Sequence, residues 1–168
     1  MESRAKILGH PIHQMLVPFP LGLLAMGVIF DGIYLLFGNP TIPTVSYWMI
    51  AAGIISGFVA APFGLIDWLA IPKGTRAHRV GLLHAGGNGI MLLLFIGSWW
   101  LRYLAESAVV AYEPSVLALV LGFAAFGLAL VTGWLGGELV GRLSVGIDDG
   151  AHLDAPSSLS GRPSRQRA

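Results

Sequence analysis

The chain has no cysteine. Disulfides, thiolate metal sites, covalent c-type haem and cysteine-held iron–sulfur clusters are thereby excluded. A non-covalent haem or a His/carboxylate metal site stays open. Charge is scarce as well: 11% of residues are Asp, Glu, Lys or Arg, against about 25% in soluble domains. The formal net charge is +1, so no bulk basic excess points to nucleic acid as a partner. No glycine-rich motif follows a strand pattern, which leaves a nucleotide site without support. The apolar stretch from Met15 lacks a following A-x-A site and is long enough to span, so it does not read as a cleavable leader.

Apolar residues fill the space that charge leaves. They make up 55% of the 168 residues, and mean hydropathy is +0.73. That length suits one domain. A soluble fold of this size could not hide so much apolar surface. A helix needs about 20 residues to cross the hydrocarbon core. Four segments qualify, at approximately Gln14–Phe37, Ser46–Ile71, Val80–Leu104 and Ser115–Val140. The expected fold class is therefore all-α: an integral membrane four-helix bundle over residues 1–145, with a disordered cytoplasmic tail at 146–168.

Basic residues are unevenly placed. Nine of the ten Lys and Arg fall in the N-terminal segment, the 72–79 connection and the tail. Only Arg102 lies elsewhere. The positive-inside rule then puts both termini in the cytoplasm of a multi-pass inner-membrane protein. Tyr34, Tyr47, Trp48, Trp99, Trp100 and Tyr103 collect at the opposite end, as an aromatic belt does. Small residues recur at i, i+4 in Gly53-Gly57-Ala61, Gly81-Ala85-Gly89 and Gly133-Gly137-Gly141, a spacing that lets helices approach closely in lipid. No internal repeat is evident.

A polar layer interrupts this apolar pattern. His10 and His13 open the first span, where Pro18 and Pro20 deprive the carbonyls of Gln14 and Leu16 of helical partners. Asp67 stands about one turn before the end of the second span. His84 stands about one turn into the third, with Asn88 one turn deeper. Glu138 is near the end of the fourth. Ionisable groups within spans pair or face the bundle interior, because isolated charge there costs several kcal/mol. Two antiparallel neighbours joined by a short turn should bring Asp67 and His84 into a hydrogen bond. Asp31 lies towards the other end, where Arg102 is its expected partner.

Two strings carry a resemblance, GHPIHQMLVPFPLGLL and GLIDWLAIPKGTRAHRVGLLHAGGN, followed by GWLGGELV. They resemble the bacterial membrane family named domain of unknown function 2231, over roughly Gly9 to Asp148. The resemblance implies four transmembrane helices and no established activity. Some relatives are fused to Rieske iron–sulfur domains, which implies electron transfer. Many relatives resemble GGELVYRHGV near the end, with Tyr and His where this chain has Gly141 and Leu143. A metal or haem site built on that histidine would be weakened here.

Four functions fit these residues. The polar layer fixes helix packing in a structural or partner subunit, held in the lipid bilayer, with a homo-oligomer among its expected states. Alternatively His13 and His84 are axial ligands of a b-type haem, or serve a quinone, in an electron-transfer protein with a redox partner. In a third reading His10, His13, Asp67, His84 and Glu138 hold a transition metal. The fourth is a small transporter, against which the lack of an inverted repeat argues. No catalytic motif is present, so enzymatic activity is left open.

Overall fold

The computed structural model describes residues 1–106 and 109–164. Arg165 and Arg167, two of the tail bases, lie outside the described residues. Four helical runs of 26, 28, 28 and 27 residues are long and apolar enough to cross a membrane. The chain is thus an all-α membrane protein, a bundle of four antiparallel spans.

The first run is broken in two, α1 (Ile12–Leu16) and α2 (Pro18–Phe37). The break follows from Pro18 and Pro20, which have no N–H to donate. Two backbone bonds carry the chain across it, Val17 N–H to His13 O at 3.0 Å and Leu21 N–H to Val17 O at 3.2 Å. Gly38 ends α2 in the left-handed conformation, φ 66°, where glycine meets no steric penalty. The second run, α3 (Ile42–Leu69), starts four residues earlier than the hydropathy suggests. Pro43 sits in its first turn, where a missing N–H is harmless. The third, α4 (Arg76–Tyr103), begins inside the basic turn, because Thr75 Oγ1 caps it by accepting from His78 N–H at 3.1 Å. Ser115 caps the last run, α5 (Val116–Gly137), in the same way. A π-helical turn, Glu138–Arg142, extends it.

The helices pair most closely as two hairpins, α2 with α3 and α4 with α5. Their shared core is Leu24, Val28, Ile50, Ile54, Met91, Leu92, Phe95, Ala125 and Ala129. Outward faces are apolar, with Leu36, Phe37, Ile55, Leu93 and Leu130 exposed as lipid requires.

At the basic end a two-residue strand pair, Lys6–Ile7 with His10–Pro11, folds the N-terminal segment over the bundle. Residues after Leu143 cross it. Gly146 N–H donates to Met1 O at 2.9 Å, and Asp149 N–H to Glu2 Oε1 at 3.4 Å. Lys6 Nζ lies 2.6 Å from Asp148 Oδ1 and 2.7 Å from Glu2 Oε2. Asp148 and then Glu2 raise the Lys6 pKa, and Lys6 lowers that of Glu2. A depressed carboxylate stabilises the crossing above its ordinary pKa and loses that effect as pH falls through the lowered value. The raised ammonium acts below its ordinary pKa and stops acting as pH rises through the raised one. Amide protection at Asp149, relative to intrinsic exchange, should therefore be flat through neutral pH. It should drop at pH below the usual carboxylate range, and again in strong alkali. Protection that is flat in acid would show that the ion pairs do not hold this crossing.

Candidate functional site

The polar groups of the spans lie at two levels. Near the basic end, His13 Nδ1 faces Ala60 O at 3.0 Å, and His84 Nδ1 faces Thr132 O at 2.8 Å. A carbonyl only accepts, so each Nδ1 carries the proton and each Nε2 is the basic nitrogen. His84 Nε2 accepts from Asn88 Nδ2 at 3.2 Å, and Thr132 Oγ1 donates to Asn88 Oδ1 at 2.9 Å. His84, Asn88 and Thr132 thus close a ring of hydrogen bonds between α4 and α5. Among the described residues, His13 Nε2 has no such partner.

Glycine makes both histidine seats. A Cβ on Gly64 would lie 2.7 Å from His13 Cε1, and one on Gly136 would lie 3.1 Å from His84 Cε1. Each imidazole fills the gap over a glycine four residues beyond the carbonyl it bonds.

The second level lies near the aromatic end. Arg102 and Asp31 are 0% and 1% exposed at their side chains. Arg102 Nη1 donates to Asp31 Oδ1 at 2.9 Å, and Nη2 to Oδ2 at 2.6 Å. This two-pronged geometry is the strong form of the pair. Ser46 Oγ donates to Asp31 Oδ1 at 2.6 Å and lies 2.9 Å from Gly27 O. Ser98 Oγ accepts from Arg102 Nε at 3.4 Å and donates to Ala118 O at 2.6 Å. All four spans are tied at this point.

The two hairpins repeat one plan, which the sequence pattern alone did not disclose. His13 precedes Asp31 by eighteen residues, and His84 precedes Arg102 by the same number. Ser46 precedes Gly64 by eighteen, as Ala118 precedes Gly136. At 1.5 Å per residue the two levels are about 27 Å apart, close to the thickness of the hydrocarbon core. Equivalent positions carry different chemistry: Asp31 matches Arg102, Gly27 matches Ser98, and Ser46 matches Ala118. Asn88 has Val17 as its counterpart, which is why His13 Nε2 is left without a neighbour's amide. Identity alone could not reveal this repeat; the recurring eighteen-residue spacing could.

The expected bond between Asp67 and His84 is not formed. Asp67 accepts from Ser3 Oγ at 2.8 and 2.7 Å, from Arg4 N–H at 2.7 Å and from Ala5 N–H at 3.2 Å. A short turn makes α3 and α4 neighbours but does not choose which faces meet. His84 faces its hairpin partner α5, and Asp67 faces the N-terminal segment, whose free N–H groups need an acceptor.

The five-residue metal set is not assembled either. His10 Nε2 lies 3.3 Å from Ser158 Oγ at the surface. Glu138 Oε2 accepts from Arg76 Nη2 at 2.7 Å. His13, Asp67 and His84 bond as described, each in a different direction. Among the described residues, no three His, Asp or Glu side chains group to hold a metal ion. Of the expected haem ligands, His84 already has both nitrogens engaged. An open groove of ≈ 360 Å³ lies on the outer side of α2 and α3, lined by Leu16, Phe19, Ala52, Ile55, Ser56 and Val59. It includes none of the ionisable residues.

The family model described as "Predicted membrane protein (DUF2231)" matches residues 9–149. The chain belongs to the DUF2231 family. Those residues contain all four spans and both polar levels of this DUF2231 protein. No curated protein and no solved structure matches it.

Proposed function

We propose that this DUF2231 protein is a structural or partner subunit of the inner membrane, whose polar levels fix its helices, one level within each hairpin and the other between the two. The observation that carries this reading is the ring of His84, Asn88 and Thr132, together with the Asp31–Arg102 pair. In both, side-chain donors and acceptors are engaged by neighbouring helices. Polar side chains that bond across helices serve as packing glue in lipid.

One observation favours a second reading, electron transfer through a b-type haem. His13 has its Nδ1 on a carbonyl and its Nε2 unengaged, the posture of a ligating imidazole. His84 could join it only by giving up Asn88.

A spectrum of protein purified from the inner-membrane fraction of haem-supplied cells separates the two. The packing reading expects no Soret band, and His13→Ala should leave the spectrum unchanged. A Soret band lost in both His13→Ala and His84→Ala would replace that reading with the haem one.

A further inference from the structure

The turn between α3 and α4 is basic and also rigid. Thr75 Oγ1 bonds Pro72 O at 2.8 Å and caps α4 through His78 N–H. Trp68 braces the turn from α3. Its Nε1–H donates to His78 O at 3.1 Å, and the two rings stand 4.8 Å apart. Gly81 makes room for that indole, since a Cβ there would lie 2.6 Å from Trp68 Cδ1.

Lys73, Arg76 and Arg79 project from this braced turn, and all three are exposed. Arg76 and Arg79 are three apart and share a face of the first turns of α4. The ion pair of Arg76 with Glu138 draws the end of α5 to the same corner. Arg142 follows Glu138 by four residues in a π-helical turn, which needs more than four residues to come round, so it rises above Glu138 on a similar face. Arg142 is exposed too. Four bases therefore belong to the two helix ends that the Arg76–Glu138 pair joins. Among the described residues, Lys73, Arg79 and Arg142 have no carboxylate within ion-pair distance.

The corner lies where two spans end, so it meets the layer in which lipid phosphates sit. We propose that Lys73, Arg79 and Arg142 form a binding site for the phosphate of an anionic phospholipid, with Arg76 held by Glu138 at its centre. Clustered bases beside span ends attract anionic headgroups. A braced turn loses little freedom when it binds, so the site is prepared for its ligand. Trp68 cannot supply a hydrogen bond, because its only N–H is committed to His78.

Thermal unfolding of the full chain in neutral detergent micelles tests the site. Added phosphatidylglycerol should raise the midpoint by several degrees, and phosphatidylcholine should not. The triple substitution Lys73→Gln, Arg79→Gln, Arg142→Gln should keep the midpoint seen in phosphatidylcholine and lose most of the phosphatidylglycerol shift. In roughly 1 M salt, where charges are screened beyond about 3 Å, the shift of the unaltered chain should shrink. Equal shifts with the two lipids would overturn the proposal, as would a triple variant that responds in full. A shift matched by inorganic phosphate at equal concentration would overturn the lipid as its source. If the triple variant does not fold, Lys73→Gln alone and the salt dependence decide: a salt-insensitive shift would end the proposal.

Discussion

Asp31→Asn should cost this DUF2231 protein about 3–5 kcal/mol, because it leaves the Arg102 guanidinium buried without a counter-charge. Arg102 is 0% exposed, so water cannot replace the lost oxygen. Asn offers one acceptor where Asp31 offered two, and its amide N–H₂ would face the donors of Arg102 and Ser46. Folded yield from membranes and the thermal midpoint in detergent should both fall steeply. The hairpin repeat adds a sharper expectation. Asp31 and Arg102 occupy equivalent positions and meet where the two units meet, so exchanging them leaves the same two groups on the same two seats. The charge swap Asp31→Arg with Arg102→Asp should recover most of the yield that either single change loses. Recovery will be incomplete, because Ser46 stands beside one seat and Ser98 beside the other. A swap no better than Asp31→Asn alone would show that the seats are not equivalent. Replacing both residues by Leu should be far milder than either single change, since well-packed apolar pairs often substitute for buried ion pairs at little cost.

The spans were legible in the sequence because hydropathy needs no knowledge of neighbours. Their ends were less so. Arg76 and Arg79 look like loop residues by polarity, yet Thr75 caps a helix that contains both. Depth follows from counting along a helix, so it was legible only where the ends were. Direction around the helix axis was not legible. Asp67 stands two residues from the end of α3 and His84 eight residues into α4, so they differ in depth, and they also face different ways, one to Ser3 and the other to Thr132. The small-residue ladders failed for the same reason. Gly53, Gly57 and Gly81 do sit against other helices, with Leu24, Leu92 and Trp68. At Gly89, Gly133, Gly137 and Gly141 an added Cβ would meet nothing within 4 Å, so these rungs face outward. The glycines that seat the histidines, Gly64 and Gly136, belong to no ladder. Spacing announces a smooth stripe, and only packing reveals which stripe is used.

Gly53→Val should be the most damaging glycine substitution in the protein. A Cβ at Gly53 would lie 2.6 Å from both Cγ and Cδ2 of Leu24 and 3.2 Å from its backbone nitrogen. A side chain can rotate aside, but the nitrogen belongs to α2 and moves only if the helix does. The crossing is reciprocal: three residues along, a Cβ on Gly27 would meet Ile50 Cγ1 at 2.7 Å. Leu24 fits over Gly53 while Ile50 fits over Gly27, so α2 and α3 touch through two knobs and two bare glycines. Overpacking of this kind costs about 1–3 kcal/mol for a few added carbons, and the two branches of Val exceed what Ala adds. Gly53→Ala should therefore lower the thermal midpoint, Gly53→Val should lower it further, and Gly133→Ala should leave it level or raise it. Alanine improves helix propensity by up to about 1 kcal/mol where nothing opposes it. The damage should also spread to the ion pair, because the Ser46 Oγ to Gly27 O contact of 2.9 Å depends on the same close approach. Once one glycine has forced the helices apart, the other has less left to disturb. Gly27→Ala and Gly53→Ala together should then cost less than the sum of their separate effects. Simple additivity, or a Gly53→Ala midpoint equal to that of Gly133→Ala, would show that the crossing does not rely on these glycines.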